Sequence, residues 1–175
     1  PDYPRAIALI DRSLEALMAQ GAIATIARRL AALPPAYVQA SASLCIWQAW
    51  CHALTYQLDA VGPFVDQAEA RLHGAEAYAA TLPPAEAEVV RLSIAAGLGQ
   101  SAVIRAQVAG QRGNYVAAAH WARTALPHLP PNEPRMRSLV ALTLGQAHQA
   151  AGDAPAADQS YLEAAQIIAA SEHPF

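Results

Sequence analysis

A recurring spacing of small residues is the feature that most constrains the fold of this chain. From Gly145, small or packing residues follow after seven, five, four and three positions, and the same intervals fit three other stretches in full or in part. The four sets are Gly145, Gly152, Ala157, Tyr161 and Ala164; Ala106, Gly113, Ala118, Ala122 and Ala125; Ala49, Tyr56, Val61, Val65 and Ala68; and Gly21, Ile26, Leu30 and Leu33. Self-similarity of this kind predicts a stacked-repeat architecture, in which neighbouring units bury one another's apolar faces.

The residues between these positions favour helices. Ala, Leu, Gln, Glu and Arg dominate, and no stretch alternates apolar and polar residues long enough to predict a strand. Clusters of Pro, Gly and Asn separate helix-length segments, and residues 74–98 either continue the flanking helices or form a loose connection. We predict helices over residues 5–20, 22–33, 37–56, 58–73, 86–111, 115–127, 135–151 and 154–170.

Gly145 indicates where two of these helices meet. A glycine inside a helix costs about 1 kcal/mol relative to alanine, so it usually has a packing reason. We predict that the partner helix of the same repeat, near Ala157, approaches the backbone at Gly145. Gly113 and Gly152 are expected to form the turns between paired helices, followed by Asn114 and Asp153 as N-caps.

This pattern resembles the tetratricopeptide repeat, in which small residues on the two helices of each repeat let their backbones pack closely. The 39-residue step from Gly113 to Gly152 then contains a repeat of about 34 residues and an insertion around residues 130–134. The resemblance implies an all-α fold, a right-handed superhelix of antiparallel helix pairs, formed as a single domain by residues 1–175. His52, Ala109 and His148 stand where the family usually has an aromatic residue.

The first residues repeat the pattern of a second helix. DYPRAIALIDRSL aligns with DAPAADQSYLEAA at a constant offset, so that Asp2 matches Asp153 and Ala6 matches Ala157. We therefore expect residues 2–17 to be the second helix of a repeat whose first helix is missing, and the chain to be a fragment of a longer protein.

A narrower resemblance concerns residues 21–72, GAIATIARRLAALPPAYVQASASLCIWQAWCHALTYQLDAVGPFVDQAEARL, and continues in RAQVAGQRGNYVAAAHWARTAL. These stretches look like the helical repeat region of bacterial MalT-like, ATP-dependent regulators of the LuxR family. The resemblance implies a non-catalytic sensor region for transcription regulation that binds an inducer or a partner protein, between an ATPase module and a helix-turn-helix domain. Neither flanking module is present, since a chain without Lys has no phosphate-binding loop of the GxxxxGK[ST] type. The alternative is a free-standing repeat scaffold that mediates protein–protein interactions.

The composition argues against two classes of binding partner, nucleic acids and membranes. The net charge is −3 and the 11 basic residues are scattered arginines, so no basic stripe predicts direct contact with nucleic acid. No apolar run approaches the roughly 18 residues of a membrane span, and we expect no membrane association. The cysteine spacing fits a reducing, cytoplasmic environment.

Catalytic motifs are not found. Cys45, Ala49 and His52 share one helix face, which allows a Cys–His pair, but a stripe that packs on the partner helix is the favoured interpretation. No spacing of metal ligands is recognisable, and we predict neither an enzyme nor a cofactor or metal.

One constellation predicts a binding surface. Trp50, Gln107 and Gln146 each follow the small residue of a first helix, so stacked repeats would align them on the concave face. Gln100, Gln107 and Gln111 lie within about 40° on one helix, and Gln149 lies one turn from Gln146. Amides and an exposed indole suit an uncharged polar ligand, such as a sugar or a peptide backbone. An ordinary solvated groove is the alternative, and a homo-oligomer is also compatible with such a surface.

Overall fold

The computed structural model describes residues 13, 14, 16–18 and 20–172, and none of these lies in a β-strand. The described residues of 13–18 are helical, whereas most of the helix predicted over 5–20 and the alignment of residues 2–17 lie outside the described residues. The helices that follow are α1 (Ile23–Ala31), α2 (Pro35–Ala40), α3 (Ala42–Leu54), α4 (Leu58–Ala79), α5 (Pro84–Gln111), α6 (Tyr115–Ala125), a 3-10 turn (Leu126–His128), α7 (Pro134–Ala150) and α8 (Ala154–Glu172). The predicted all-α class is confirmed.

The chain divides into two compact units, residues 1–75 and 76–175. In the first unit, α3 packs against α1 and α2, and its core contains Ile26, Leu30 and Leu44. The side chain of Arg71 on α4 donates a hydrogen bond to the carbonyl oxygen of Gln39 at 3.2 Å. A polar contact at the surface of this unit therefore connects the end of α2 to α4.

The predicted helix over residues 37–56 is wrong, because Ser41 divides it into α2 and α3. Ser41 adopts an extended backbone with φ −113° and ψ 120°, and its hydroxyl accepts a hydrogen bond from the Leu44 amide at 3.3 Å. A serine that accepts such a bond satisfies one of the free amides at a helix start. The N-cap at Ser41 thus starts a new helix, although the composition of the whole segment favours a continuous one.

In the second unit, α5 packs against α6 and α7, and α7 packs against both α6 and α8. The segment 74–98 is helical except at residues 80–83, where α4 ends and Pro84 begins α5. Gly99 allows the chain after α6 to lie on α5. A Cβ atom at Gly99 would be 3.0 Å from Cδ2 of Leu129 and 3.2 Å from the backbone carbon of His128.

The turns between paired helices share one backbone geometry. Among the described residues, positive φ angles occur only at the four turn positions of the repeating pattern, which are Gly21 (68°), Tyr56 (59°), Gly113 (74°) and Gly152 (79°). Each turn also has a backbone hydrogen bond from the following amide to the carbonyl five residues earlier, namely Ala22 to Leu17, Gln57 to His52, Asn114 to Ala109 and Asp153 to His148, at 2.9–3.0 Å. This is the Schellman arrangement that ends many helices. The four sets of residues are therefore equivalent in local structure as well as in spacing.

The predicted N-caps after these turns are confirmed. The side-chain oxygen of Asn114 accepts a hydrogen bond from the Ala117 amide at 3.1 Å. Asp153 accepts one from the Ala156 amide at 3.2 Å. Both helices of the second unit that follow a tight turn thus begin with the same type of cap.

Tyr56 is the exception among the four turn residues, and replacing it should stabilise the chain. A side chain in the left-handed region costs about 1–2 kcal/mol, whereas glycine adopts it freely but has more entropy in the unfolded chain. We expect Tyr56→Gly to raise the free energy of unfolding by about 1 kcal/mol in urea titrations. The control is Tyr78→Gly in α4, also at an exposed tyrosine, which should destabilise by about 0.5 kcal/mol. Equal losses in both variants would contradict the equivalence of the turns.

By length and composition, α5 is the only helix in the described part of the chain that meets the criteria for a membrane span. It has 28 residues and an 18-residue window with a mean hydropathy of 1.2, whereas the sequence predicted no apolar stretch of this length. Of this window, 39% is buried inside the protein. Core helices meet the same criteria, and α5 contacts α6, α7 and the 3-10 turn. One such helix is weak evidence for a span.

Candidate functional site

The residues predicted to line a concave face belong to both units. Trp50 lies on α3 in the 1–75 unit, and the five glutamines lie on α5 and α7 in the 76–175 unit.

The prediction that Trp50 presents an exposed indole is wrong, because the side chain is only 4% exposed. Ala49, Cys51 and Ala53 beside it are buried as well, so α3 is covered on nearly all sides. A helix that is apolar all round is a buried helix, and the run LCIWQAWCHAL from residue 44 carries that signal. Nε1 of Trp50 has no hydrogen-bond partner among the described residues. This indole packs in the core and is not an open platform.

Four glutamines of the second unit form what we call the amide groove: Gln107 and Gln111 on α5, and Gln146 and Gln149 on α7. Gln107 and Gln111 share a face of α5 with Gly110. Oε1 of Gln146 lies 3.9 Å from the position of a Cβ atom at Gly110. The amide of Gln146 therefore lies against the face of α5 that carries the other two glutamines. The structure thus places Gln146 beside Gly110, on the α5 face that also carries Gln107 and Gln111.

The exposure of these side chains suits a surface that is partly open. Gln146 and Gln149 are exposed, and Gln107 and Gln111 are half-buried. Gln100, two turns before Gln107 on α5, is half-buried and extends the same face. Leu142, which no sequence signal singled out, is 41% exposed and lies one turn before Gln146 on α7. An exposed leucine next to amides adds an apolar contact to a mainly polar groove.

The amide oxygens of two of these glutamines differ in their hydrogen bonding. Oε1 of Gln111 is buried and has no hydrogen-bond partner among the described residues. Oε1 of Gln149 accepts a hydrogen bond from the Tyr161 hydroxyl at 2.8 Å, which positions that amide and assigns its NH2 group as a donor. A buried amide oxygen without a partner costs about 1–3 kcal/mol. A ligand that donates a hydrogen bond to Gln111 would remove this cost.

The face shared by Cys45 and His52 has the contacts of a packed helix. Sγ of Cys45 donates to the carbonyl oxygen of Val38 at 3.2 Å, and the His52 ring stacks on Phe64 with centroids 5.3 Å apart. Both ring nitrogens of His52 contact glutamine side chains, with Nδ1 at 2.9 Å from Oε1 of Gln57 and Nε2 at 3.1 Å from Nε2 of Gln48. Since a glutamine oxygen only accepts and its nitrogen only donates, this pairing places the ring proton on Nδ1.

The two thiols lie in surroundings that disfavour the thiolate. Burial raises the pKa of Cys45 although the Arg71 charge lowers it in part, and burial raises the pKa of Cys51 to about 11. Reactive cysteines have lowered pKa values instead. The geometry thus favours packing over a Cys–His pair. Among the described residues, no group of three or more His, Cys, Asp or Glu side chains is arranged to hold a metal ion.

Both cysteines should therefore resist thiol reagents in the folded protein. At neutral pH we expect a chromogenic disulfide reagent to label neither Cys45 nor Cys51 until denaturant is added. The control is Val116→Cys, at a position that is 85% exposed, whose thiol should react in the folded state. The shift of Cys51 also predicts that stability falls as pH rises from about 8.5, the unfolded thiol pKa, because the folded protein keeps the proton longer. Rapid labelling of the native wild type would contradict this assignment.

Searches against protein-family models, curated proteins and solved structures gave no match.

Proposed function

We propose that this chain is a non-catalytic helical-repeat region that binds a partner protein or an inducer through the amide groove. The observation that carries the proposal is the unpaired, buried Oε1 of Gln111 on the face of α5 that Gln146 contacts. Natural proteins pair nearly all buried polar groups, so a buried acceptor at the edge of a groove is suited to an incoming donor. Exposed amides beside it donate and accept, which fits an uncharged polar ligand such as a peptide backbone or a sugar.

We further propose that the helix pairs stack as a right-handed superhelix of the tetratricopeptide type. The shared backbone geometry at Gly21, Tyr56, Gly113 and Gly152 supports this arrangement. So does the packing of α7 against both helices of the preceding pair in the second unit. In such arrays the first helices line a concave surface, and the amide groove lies on the first helices α5 and α7.

The groove proposal is tested by calorimetric titration of the whole chain with two uncharged probes, an end-blocked Ser/Asn peptide and a linear glucose oligosaccharide. We expect at least one probe to bind, and Gln107→Ala/Gln146→Ala to weaken it about tenfold, since each hydrogen bond contributes about 0.5–1.5 kcal/mol. Stability should stay within about ±0.5 kcal/mol per substitution, because these side chains are at least partly exposed. Gln159→Ala, an exposed glutamine on α8, is the control. If neither probe binds, or if the double variant binds with the affinity of the wild type, the proposal that the groove binds a ligand is wrong.

We propose that the whole protein is a MalT-like regulator of the LuxR family, acting in the cytoplasm, in which this region makes no direct contact with DNA. The quoted repeat segments and the absence of a basic stripe support this assignment. The coding sequence on both sides of these residues tests it. The proposal predicts an ATPase loop upstream and a helix-turn-helix downstream, whereas a free-standing scaffold would have neither.

A further inference from the structure

A cleft of about 450 Å³ lies beside the turn between α5 and α6. Its walls come from the turn at Gly113 and Asn114, from the first turns of α6 and from the last turns of α7. This volume is within the range of about 300–1,000 Å³ that is typical of small-molecule sites. The cleft is a second surface, separate from the amide groove.

The cleft and the amide groove use different residues of α7. Ala147, Ala150 and Ala151 line the cleft, and none of the four glutamines does. Ala150 lies one turn from Gln146, so the two surfaces adjoin on this helix. Because the lining residues differ, a ligand in the cleft does not need the glutamines, and the two surfaces can be tested independently.

One cation dominates the charge of the cleft. Arg123 lines it and is exposed, and its guanidinium has no ion pair or hydrogen bond within the part of the chain that the structure describes. No carboxylate lines the cleft, where His148 is the only other ionisable side chain apart from the Tyr115 hydroxyl. The sequence from residue 89 to residue 132 contains four arginines and no Asp or Glu, although the whole chain carries a net charge of −3. A negatively charged group would thus meet an unneutralised guanidinium in the cleft.

The remaining walls are mostly apolar. Val116 is 85% exposed, and it lines the cleft together with Ala119 on α6 and Ala147 and Ala151 on α7. Val116 and Ala119 lie one turn apart on α6, as do Ala119 and Arg123. The apolar wall and the guanidinium are therefore adjacent on one face of the helix. A ligand that uses both must combine a negative charge with an aliphatic body.

We infer that this cleft binds a carboxylate attached to an aliphatic body, with Arg123 binding the carboxylate and Val116 and the alanines contacting the aliphatic part. Arg is suited to this role, because its planar guanidinium donates two parallel hydrogen bonds to one carboxylate. The carboxylate belongs either to a free aliphatic acid or to the C-terminal residue of a peptide. Both sources present the same chemistry to Arg123.

The test is to titrate the whole 15N-labelled chain with hexanoate and to follow amide shifts by NMR. Hexanamide, which has the same shape without the charge, is the control ligand. We expect hexanoate to shift amides of residues 113–123 and 147–151 and to saturate them, and hexanamide to bind more weakly. Arg123→Gln should weaken hexanoate about tenfold, as expected for a charged hydrogen-bonded pair. Arg135→Gln is the matched control, since it removes the same charge from an exposed position outside the cleft.

A second titration identifies the source. A short peptide that ends in leucine is compared with the same peptide carrying an amidated C-terminus. Tighter binding of the free-carboxylate peptide than of hexanoate assigns the cleft to peptide ends, and the reverse order assigns it to free aliphatic acids. The inference is overturned if neither carboxylate shifts the cleft residues, if hexanamide binds as well as hexanoate, or if Arg123→Gln and Arg135→Gln weaken binding equally.

Discussion

Gly145→Leu is expected to lower the free energy of unfolding by about 1–3 kcal/mol, the usual cost of overpacking. Even a Cβ atom at this position would lie 2.5 Å from Cε1 and 2.7 Å from Cδ1 of Tyr161 on α8. To make room, the ring would have to move and give up the hydrogen bond from its hydroxyl to Gln149. Urea unfolding followed by circular dichroism measures the loss. An unchanged midpoint would mean that the α7–α8 crossing is not as close as described.

Substitutions at Gly145 and Tyr161 should compensate for each other's loss of stability. The residues equivalent to Gly145 and Tyr161 in the preceding helix pair are Ala106 and Ala122, both buried. The equivalent positions thus hold a glycine and a tyrosine in one helix pair and two alanines in the other. We expect Gly145→Ala and Tyr161→Ala to destabilise singly, and the double variant to be more stable than the sum predicts, by about 0.5–3 kcal/mol. Additive losses would contradict direct packing of the two side chains.

Ile104→Ala should also destabilise strongly, by about 2–5 kcal/mol. Ile104 is 0% exposed, and it is among the few large side chains that are fully buried in the second unit. Because so many core positions there are alanines, truncating a large residue removes a large share of the buried apolar surface. The measurement is again urea unfolding. Val116→Ala, at an exposed position of the same unit, is the control and should stay within about ±0.5 kcal/mol. Similar losses in both variants would contradict the assigned core.

The turns could be predicted from the sequence because their signals are local. Gly113-Asn114 and Gly152-Asp153 each place a residue that tolerates positive φ before an N-cap, and both turns form as predicted. Tyr56 occupies the equivalent position of the spacing and adopts the same conformation without being glycine, although residues 37–56 were predicted as one helix. Ser41 shows the limit of this reasoning, because a single serine N-cap divides a segment whose composition is continuously helical.

The binding surface could be predicted only in part, because exposure depends on tertiary packing. The spacing aligned Gln107 and Gln146 on neighbouring first helices, and the structure places Gln146 beside Gly110 on α5; their role as a binding face stays a prediction. The same spacing placed Trp50 at the surface, but α3 is covered on nearly all its sides. Gly145 was predicted to face the region of Ala157, and the atoms nearest to it belong to Tyr161, one turn further along the same helix. The cleft at Arg123 has no sequence motif, because it forms only where α6 packs against α7.

The central claim is that the amide groove binds a ligand through its side-chain amides. The most direct measurement is 1H–15N NMR of the side-chain NH2 groups in the whole chain, titrated with the end-blocked Ser/Asn peptide and the glucose oligosaccharide. With the probe that binds, we expect the NH2 signals of Gln107, Gln111, Gln146 and Gln149 to shift together with a single affinity. The NH2 signal of Gln159 should stay fixed. Shifts confined to other residues, or none with either probe, would contradict the claim and leave these glutamines as solvated helix surface.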